Sequence, residues 1–321
     1  MKAAVLYESN TVPKYADFPI PKVTADDQEL VSVVSSSIKN LDRGKVSGAH
    51  YTAYRQFPTT IGVDGIGRLE DGSLIYAMGL TGMIAEKAIV KKGQYAVIND
   101  KDVDPYIAAA LPNTLLGSDC ALLFRGNIKK GDVVLVNGAT GVTGKVAVQI
   151  AKIRGASKVI ATGRNLEVLK KMQQDLGVDD IIHLNGDDKD ISAQYKALLD
   201  KQPIDIVLDY LWGKPAELVI NAIVSQKKFH ITKIITVGEM AGANISLPSA
   251  ALRSTAIEII GSGLGSFEMS TLGKYFKNYL NELLGYVKEG KLKVDIRTVD
   301  LKDIEKEWPV NEPSVRTVIK I

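Results

Sequence analysis

The sequence predicts an α/β protein in which a β-rich segment precedes a doubly wound parallel sheet. Three observations carry that prediction. From Gly131 onward, short apolar runs alternate with helical ones, the rhythm of strands joined by crossover helices. The strand-like run DVVLVN (132–137) passes through the glycine-rich turn GATGVTG (138–144) into an amphipathic stretch. Ahead of it, up to about Asn99, short β patterns and turns dominate, with little sustained helical period.

In chain order, KAAVLY, ELVSVVSSSI, GVDGIGRLEDGSLIYAMG and AEKAIV read as strands and turns of a compact β domain, a distorted barrel. Ala108 to Leu123 reads as a helix leading into the second region. There, strands are expected at 132–137, 157–162, 204–209, 233–238 and 257–261, with DIIHL (180–184) as a short addition. Helices are expected at 165–176, 190–200 and 215–225. Met269 to Lys291 follows as a longer helix. Its Leu272, Tyr275, Phe276, Tyr279, Leu280, Leu283 and Val287 recur at helical spacing, as a core-packing face does. The closing SVRTVIKI (314–321) is strand-like and returns to the first domain.

The glycine turn carries chemistry. Gly138 permits a tight turn, Gly141 lets backbone approach an anion, and Gly144 allows close packing of helix on strand. Val146, Ile150 and Ile153 place a helix from about Val142, and its first N–H groups lack internal partners. Thr140, Gly141, Val142 and Thr143 are therefore expected at a pyrophosphate. The next strand, SKVIAT (157–162), ends in Gly163, Arg164 and Asn165. In dinucleotide folds this strand's end, roughly 20 residues beyond the glycines, meets the adenosine ribose. A carboxylate there favours NAD. Here Arg164 stands instead, and a guanidinium suits the 2′-phosphate of NADP(H); a solvated surface arginine is the alternative.

Composition bounds the rest. With 40 Lys and Arg against 37 Asp and Glu, nothing requires a nucleic-acid partner. The start, MKAAVLYESN, alternates like a strand, so neither a signal peptide nor a membrane-spanning helix is expected. The single Cys120 excludes an internal disulfide and suits a reducing, cytoplasmic setting. Its neighbours, SDCALLF, make it a buried helix residue.

NLDRGKVSG (40–48), GVDGIGRLEDG (62–72), AALPNTLLGSD (109–119), VLVNGATGVTG (134–144) and VIATGRN (159–165) together resemble the medium-chain dehydrogenase/reductase superfamily, on its zinc-free quinone oxidoreductase side. The resemblance covers nearly the whole chain. It implies a GroES-like catalytic domain whose first part is 1–112, an inserted Rossmann-type NADP-binding domain at 113–262, and a return to the catalytic domain at 263–321. It implies a nicotinamide cleft between domains and a homodimer joined through the cofactor-domain sheets. By family position, Asp209, Tyr210, Val237 and Gly238 border the nucleotide, and Gly261 and Ser262 lie nearer the nicotinamide.

Zinc alcohol dehydrogenases of that superfamily carry Gly-His-Glu where this chain has Gly62, Val63 and Asp64, and valine supplies no ligand. The histidines are His50, His183 and His230, without suggestive spacing. No metal is expected. Without a Lewis acid, a quinone or conjugated enone is a better hydride acceptor than an unactivated ketone. Many relatives have Asn-Pro-x-Asp where this chain has Lys39, Asn40, Leu41 and Asp42. Lys39 either donates to a developing oxyanion or bridges Asp42 as a salt link. Asp42 orients Lys39 or backbone, and Tyr51 is the preferred proton donor or ring contact, with loop packing as its alternative. The expected function is an NADPH-dependent reductase of quinones or α,β-unsaturated carbonyls. A zinc-independent alcohol dehydrogenase and a non-catalytic NADPH-sensing protein stand as alternatives.

Overall fold

A computed structural model describes residues 1–226 and 228–321. They divide into two units, Met1–Asn113 with Glu268–Ile321, and Thr114–Phe267. The chain first lays down β1 (Lys2–Leu6), β2 (Lys14–Asp17), β3 (Gln28–Ser37), α1 (Asn40–Ser47), β4 (Thr59–Thr60), β5 (Asp64–Arg68), β6 (Leu74–Gly79), β7 (Lys87–Val97) and α2 (Pro105–Leu115). The ten-residue β3 pairs antiparallel with β7 along its first half and with β5 along its second. Hairpins β5–β6 and β6–β7 complete the ring. This is the distorted barrel that the turn-rich sequence predicts. A Cβ on Gly65 would lie 2.6 Å from the Ser35 carbonyl oxygen, so the close pairing of β5 with β3 accepts only glycine there. Val31, Val33, Ile75, Ala77, Met83, Ala88 and Val90 fill the interior.

A wide π-helix, Leu116–Gly126, opens the second unit. Then come β8 (Val133–Asn137), α3 (Val142–Ile153), β9 (Lys158–Gly163), α4 (Leu166–Leu176), β10 (Asp180–His183), α5 (Asp188–Leu199), β11 (Ile206–Asp209), α6 (Gly213–Val224), β12 (Thr232–Thr236), α7 (Ser249–Ser254) and β13 (Ile257–Gly261). The strands are parallel, in the order β10-β9-β8-β11-β12-β13. The winding reverses between β8 and β11, where such sheets open a ligand crevice at their carboxyl ends. Both faces are covered, so the strands read as near-continuous apolar runs. Leu135, Ile160, Val207 and Ile234 are buried from four of them.

The chain then returns to the first unit through α8 (Met269–Lys288), β14 (Ile296–Asp300), α9 (Ile304–Glu307) and β15 (Arg316–Lys320). β15 pairs antiparallel with β3, Val318 facing Ser37. On α8, Leu272, Tyr275, Phe276, Leu280 and Leu283 are buried, and the Phe276 ring lies 4.9 Å from that of Tyr76.

The structure departs from the sequence reading at several elements. The helix expected at 108–123 begins at Pro105, runs through Pro112 and widens at Leu116; proline has no N–H to close the ordinary ladder. By length and composition alone Pro105–Gly126 would also suffice to cross a bilayer, as the buried core helix of a globular protein can. Within this fold, 67% of its most apolar window is buried inside the protein. Helices α1 and α7 are absent from the sequence reading because they are short and bury few apolar residues, only Val46 in the first and Ala251 in the second.

Candidate active site

The glycine turn closes against the ends of the central strands. Gly138 leaves β8 at φ 89°, a left-handed conformation that glycine adopts without strain. A Cβ on Gly144 would fall 2.6 Å from the backbone of Ala139, so α3 sits as close to the turn as backbone allows. A Cβ on Gly163, across on β9, would fall 2.5 Å from Thr140 Cγ2. Gly141 is the N-cap of α3 and no side chain caps that helix. By contrast, Asn165 caps α4 and Asp187 caps α5 through their side chains. The first turn of α3, with Val142, Thr143 and Gly144, thus presents N–H groups without intrahelical acceptors. It is suited to an anion.

Side chains that the sequence reading did not single out hold this turn in place. Thr162 Oγ1 accepts the Gly138 N–H at 3.1 Å and donates to Asn137 Oδ1 at 2.7 Å. Asn137 Nδ2 in turn donates to Asp209 Oδ1 at 2.8 Å. Asp209, fully buried at the end of β11, also accepts the N–H groups of Leu211 and Trp212. Burial raises its carboxyl pKa, and those hydrogen bonds pull the other way. A chain of polar groups therefore ties β9, β8 and β11 together at their carboxyl ends. Asn and Thr ending apolar strands (VVLVN, VIAT) are the visible signal, because buried amides and hydroxyls require partners.

The remaining predicted cofactor residues fall around these strand ends. Arg164 is exposed, and its guanidinium makes no hydrogen bond or ion pair among the described residues; its carbonyl oxygen lies 2.9 Å from His183 Nε2. Asn165 spends its side-chain oxygen on the Val168 N–H. The Tyr210 hydroxyl donates to the Gly117 carbonyl at 2.5 Å, and burial pushes its pKa up. The N–H groups of Val237 and Gly238 both donate to the Asp209 carbonyl. A Cβ on Gly238 would lie 2.7 Å from the Tyr210 carbonyl oxygen, whereas one on Gly261 meets nothing within 4 Å. Ser262 Oγ is buried without a hydrogen-bond partner among the described residues.

The predicted catalytic residues lie in the first unit, in two different settings. Lys39 is 1% exposed. Its ammonium donates to Asp64 Oδ1 at 2.6 Å and the Ser37 carbonyl at 2.7 Å, with Asp42 Oδ2 at 3.1 Å. Burial alone would lower its pKa, but Asp42 and Asp64 outweigh that and hold it above the ordinary lysine value. Its three hydrogens all have acceptors, the salt-link arrangement. Asp42 accepts the backbone N–H groups of Lys39 and Val63 at 3.0 and 2.9 Å, fixing the start of α1 to the chain ahead of β5. The Tyr76 hydroxyl donates to the second oxygen of Asp64 at 2.9 Å. Tyr51 is elsewhere in character: it is 68% exposed, its ring 4.0 Å from that of His50. Tyr54, by contrast, is turned inward, accepting the Gly62 N–H at 3.2 Å. Asp64 and Tyr76 went unread because their link to Lys39 spans strands far apart in sequence.

Comparison with known proteins adds the following. A family model described as zinc-binding dehydrogenase matches residues 142–282. A probable NADPH-dependent quinone reductase of Emericella nidulans is 28% identical over 306 residues, covering 82% of this chain and 84% of its own length. A chloroplastic NADPH-dependent alkenal/one oxidoreductase of Arabidopsis thaliana is 27% identical over 208 residues, 56% of this chain and 51% of its own. The solved structure of a mycobacterial quinone oxidoreductase shares the fold, with a TM-score of 0.83 at 19% identity over the whole of both chains. The matching description implies zinc, and the donors here do not fit one. Among the described residues no group of three or more His, Cys, Asp or Glu is placed to hold a metal. Val63 faces that role without a donor atom, and Asp64 is engaged by Lys39 and Tyr76.

Proposed function

Since the chain belongs to the medium-chain dehydrogenase/reductase superfamily, in its quinone oxidoreductase-like branch, we propose that it is an NADPH-dependent, zinc-independent reductase of quinones or α,β-unsaturated carbonyls. The observation that carries this reading is the uncapped α3 turn beside the unengaged guanidinium of Arg164. NADP(H) is the cofactor, and when bound it supplies the hydride. Gly138, Thr140, Gly141, Val142, Thr143 and Gly144 receive its pyrophosphate through backbone and hydroxyl groups. Gly163, Arg164 and Asn165 surround the 2′-phosphate, where a forked donor discriminates against a bare hydroxyl. Asp209, Tyr210, Val237 and Gly238 shape the nucleotide's border, and Gly261 with Ser262 the nicotinamide end.

On the substrate side, Lys39 and Asp42 are positioning residues, because their polar atoms are already spoken for inside the protein. They hold the start of α1, and with it the loop that carries Tyr51. Tyr51, exposed beside the His50 ring, is the candidate contact for a flat electrophile. A quinone or enone spreads incoming charge onto its own oxygen, so neither a Lewis acid nor a protein acid is required, and solvent protonates the product. The reading carries with it a cytoplasmic setting, no nucleic-acid or membrane partner, and a homodimer for which the edge strand β13 is available. Steady-state consumption of NADPH with a panel of quinones and enones tests it. Turnover with at least one of these electrophiles is expected. Tight NADPH binding without turnover across the panel replaces the reductase with a sensing protein.

A further inference from the structure

Four oxygens surround Lys39 Nζ: Asp64 Oδ1, the Ser37 carbonyl, Asp42 Oδ2, and Ser37 Oγ at 3.4 Å. The side chains of Lys39 and Asp42 are 0% exposed and that of Asp64 3%. The oxygens are themselves fixed. Asp42 is held by two backbone N–H groups, Asp64 by the Tyr76 hydroxyl, and the Ser37 hydroxyl by its bond to the Ala109 carbonyl. Arg316, also buried, balances the second negative charge and donates to the Ile38 carbonyl. The donor set is entirely oxygen, two of its members carboxylates, and it encloses one positive centre. That is the shell of a hard cation, not of zinc with its nitrogen and sulfur ligands.

We propose that Lys39 is a tethered cation: its ammonium fills an oxygen cage, built by Ser37, Asp42 and Asp64, that takes up a hard metal ion once the ammonium is removed. The wild-type chain thereby keeps metal out of this place by occupying it. The inference stands apart from the reductase reading, since it concerns charge inside the barrel unit and needs neither cofactor nor substrate. Without Lys39, the two carboxylates lose the cation that contacts both of them, leaving only the charges of Arg316 and of the half-buried Arg43 and Lys45 to act on them, a costly state that a divalent ion relieves.

Lys39→Ala, which leaves room where the side chain lay, is melted in calcium chloride and in tetramethylammonium chloride of equal ionic strength. The variant is expected to melt roughly 10 °C below wild type without calcium. At least half of that loss should return, saturably, with calcium and not with tetramethylammonium. Wild type and the double variant Lys39→Ala/Asp64→Asn should show no calcium response. If Lys39→Ala does not stay folded, the same comparison is read as refolding yield from denaturant in each salt. A calcium response in Lys39→Ala no greater than that of wild type, by melting or by refolding, overturns the proposal. So does a double variant that responds as the single one does.

Discussion

Lys39 and Arg164 are both cations near the ends of strands, yet one is sealed among oxygens and the other is exposed. Their substitutions should therefore be read by different measurements. On the proposed reading, Arg164→Ala removes a charged donor fork that the 2′-phosphate of NADPH uses and NADH does not. Charge-assisted hydrogen bonds of roughly 1.5–3 kcal/mol imply NADPH binding weaker by about 10- to 150-fold, with NADH binding almost unchanged. Titration calorimetry on wild type and variant decides it; equal loss for both cofactors places Arg164 elsewhere. Lys39→Met instead leaves Asp42 and Asp64 without their partner and should cost about 3–5 kcal/mol of stability at neutral pH. The folded pKa of Lys39 is raised. Its stabilisation is thus fully present below the unfolded lysine value of about 10.4 and disappears as pH rises through the folded one. Denaturant unfolding across pH should show a constant gap between wild type and Lys39→Met up to about pH 10, narrowing only above it. A gap that closes between neutrality and pH 9 contradicts the assignment.

At the scale of the element, the strand–turn–helix unit was legible because Gly138 and Gly144 each answer a steric demand. Gly144→Ala puts a methyl group against the Ala139 backbone, which has no rotamer through which to yield. Pushing α3 off the turn should cost about 1–3 kcal/mol and weaken NADPH and NADH together. Gly285→Ala is the matching control. It lies within α8 with open space around its missing Cβ, so it should stabilise by about 0.5–1 kcal/mol and leave cofactor binding alone. Thermal melting and cofactor titration of the two variants provide the comparison. The central parallel strands β8, β9 and β11 were equally readable, being almost wholly buried and therefore rich in apolar residues. What the sequence did not yield is pairing across distance. Nothing in SSIKN or GVDG announces that Lys39 and Asp64 meet, since that contact depends on the antiparallel pairing of β3 with β5, Ser36 opposite Gly65. Nor does the alternation of α1 reveal a helix, because its buried positions are one aspartate and one valine.

For the whole molecule, the near balance of 40 basic and 37 acidic residues leaves function to particular sites. Those sites give two answers about metal. The family model that matches residues 142–282 is named for zinc. Among the described residues, outside and within that span, no group of three or more His, Cys, Asp or Glu could hold a metal, and the buried carboxylates of Asp42 and Asp64 are closed around an ammonium. The proposed reduction relies on NADPH and on positioning, without a metal. Quinone-dependent NADPH consumption by protein stripped with a strong chelator and transferred to metal-free buffer tests this most directly. The account predicts the same rate as for untreated protein, with no gain on adding zinc. Loss of turnover on stripping, restored by zinc and not by calcium, contradicts it.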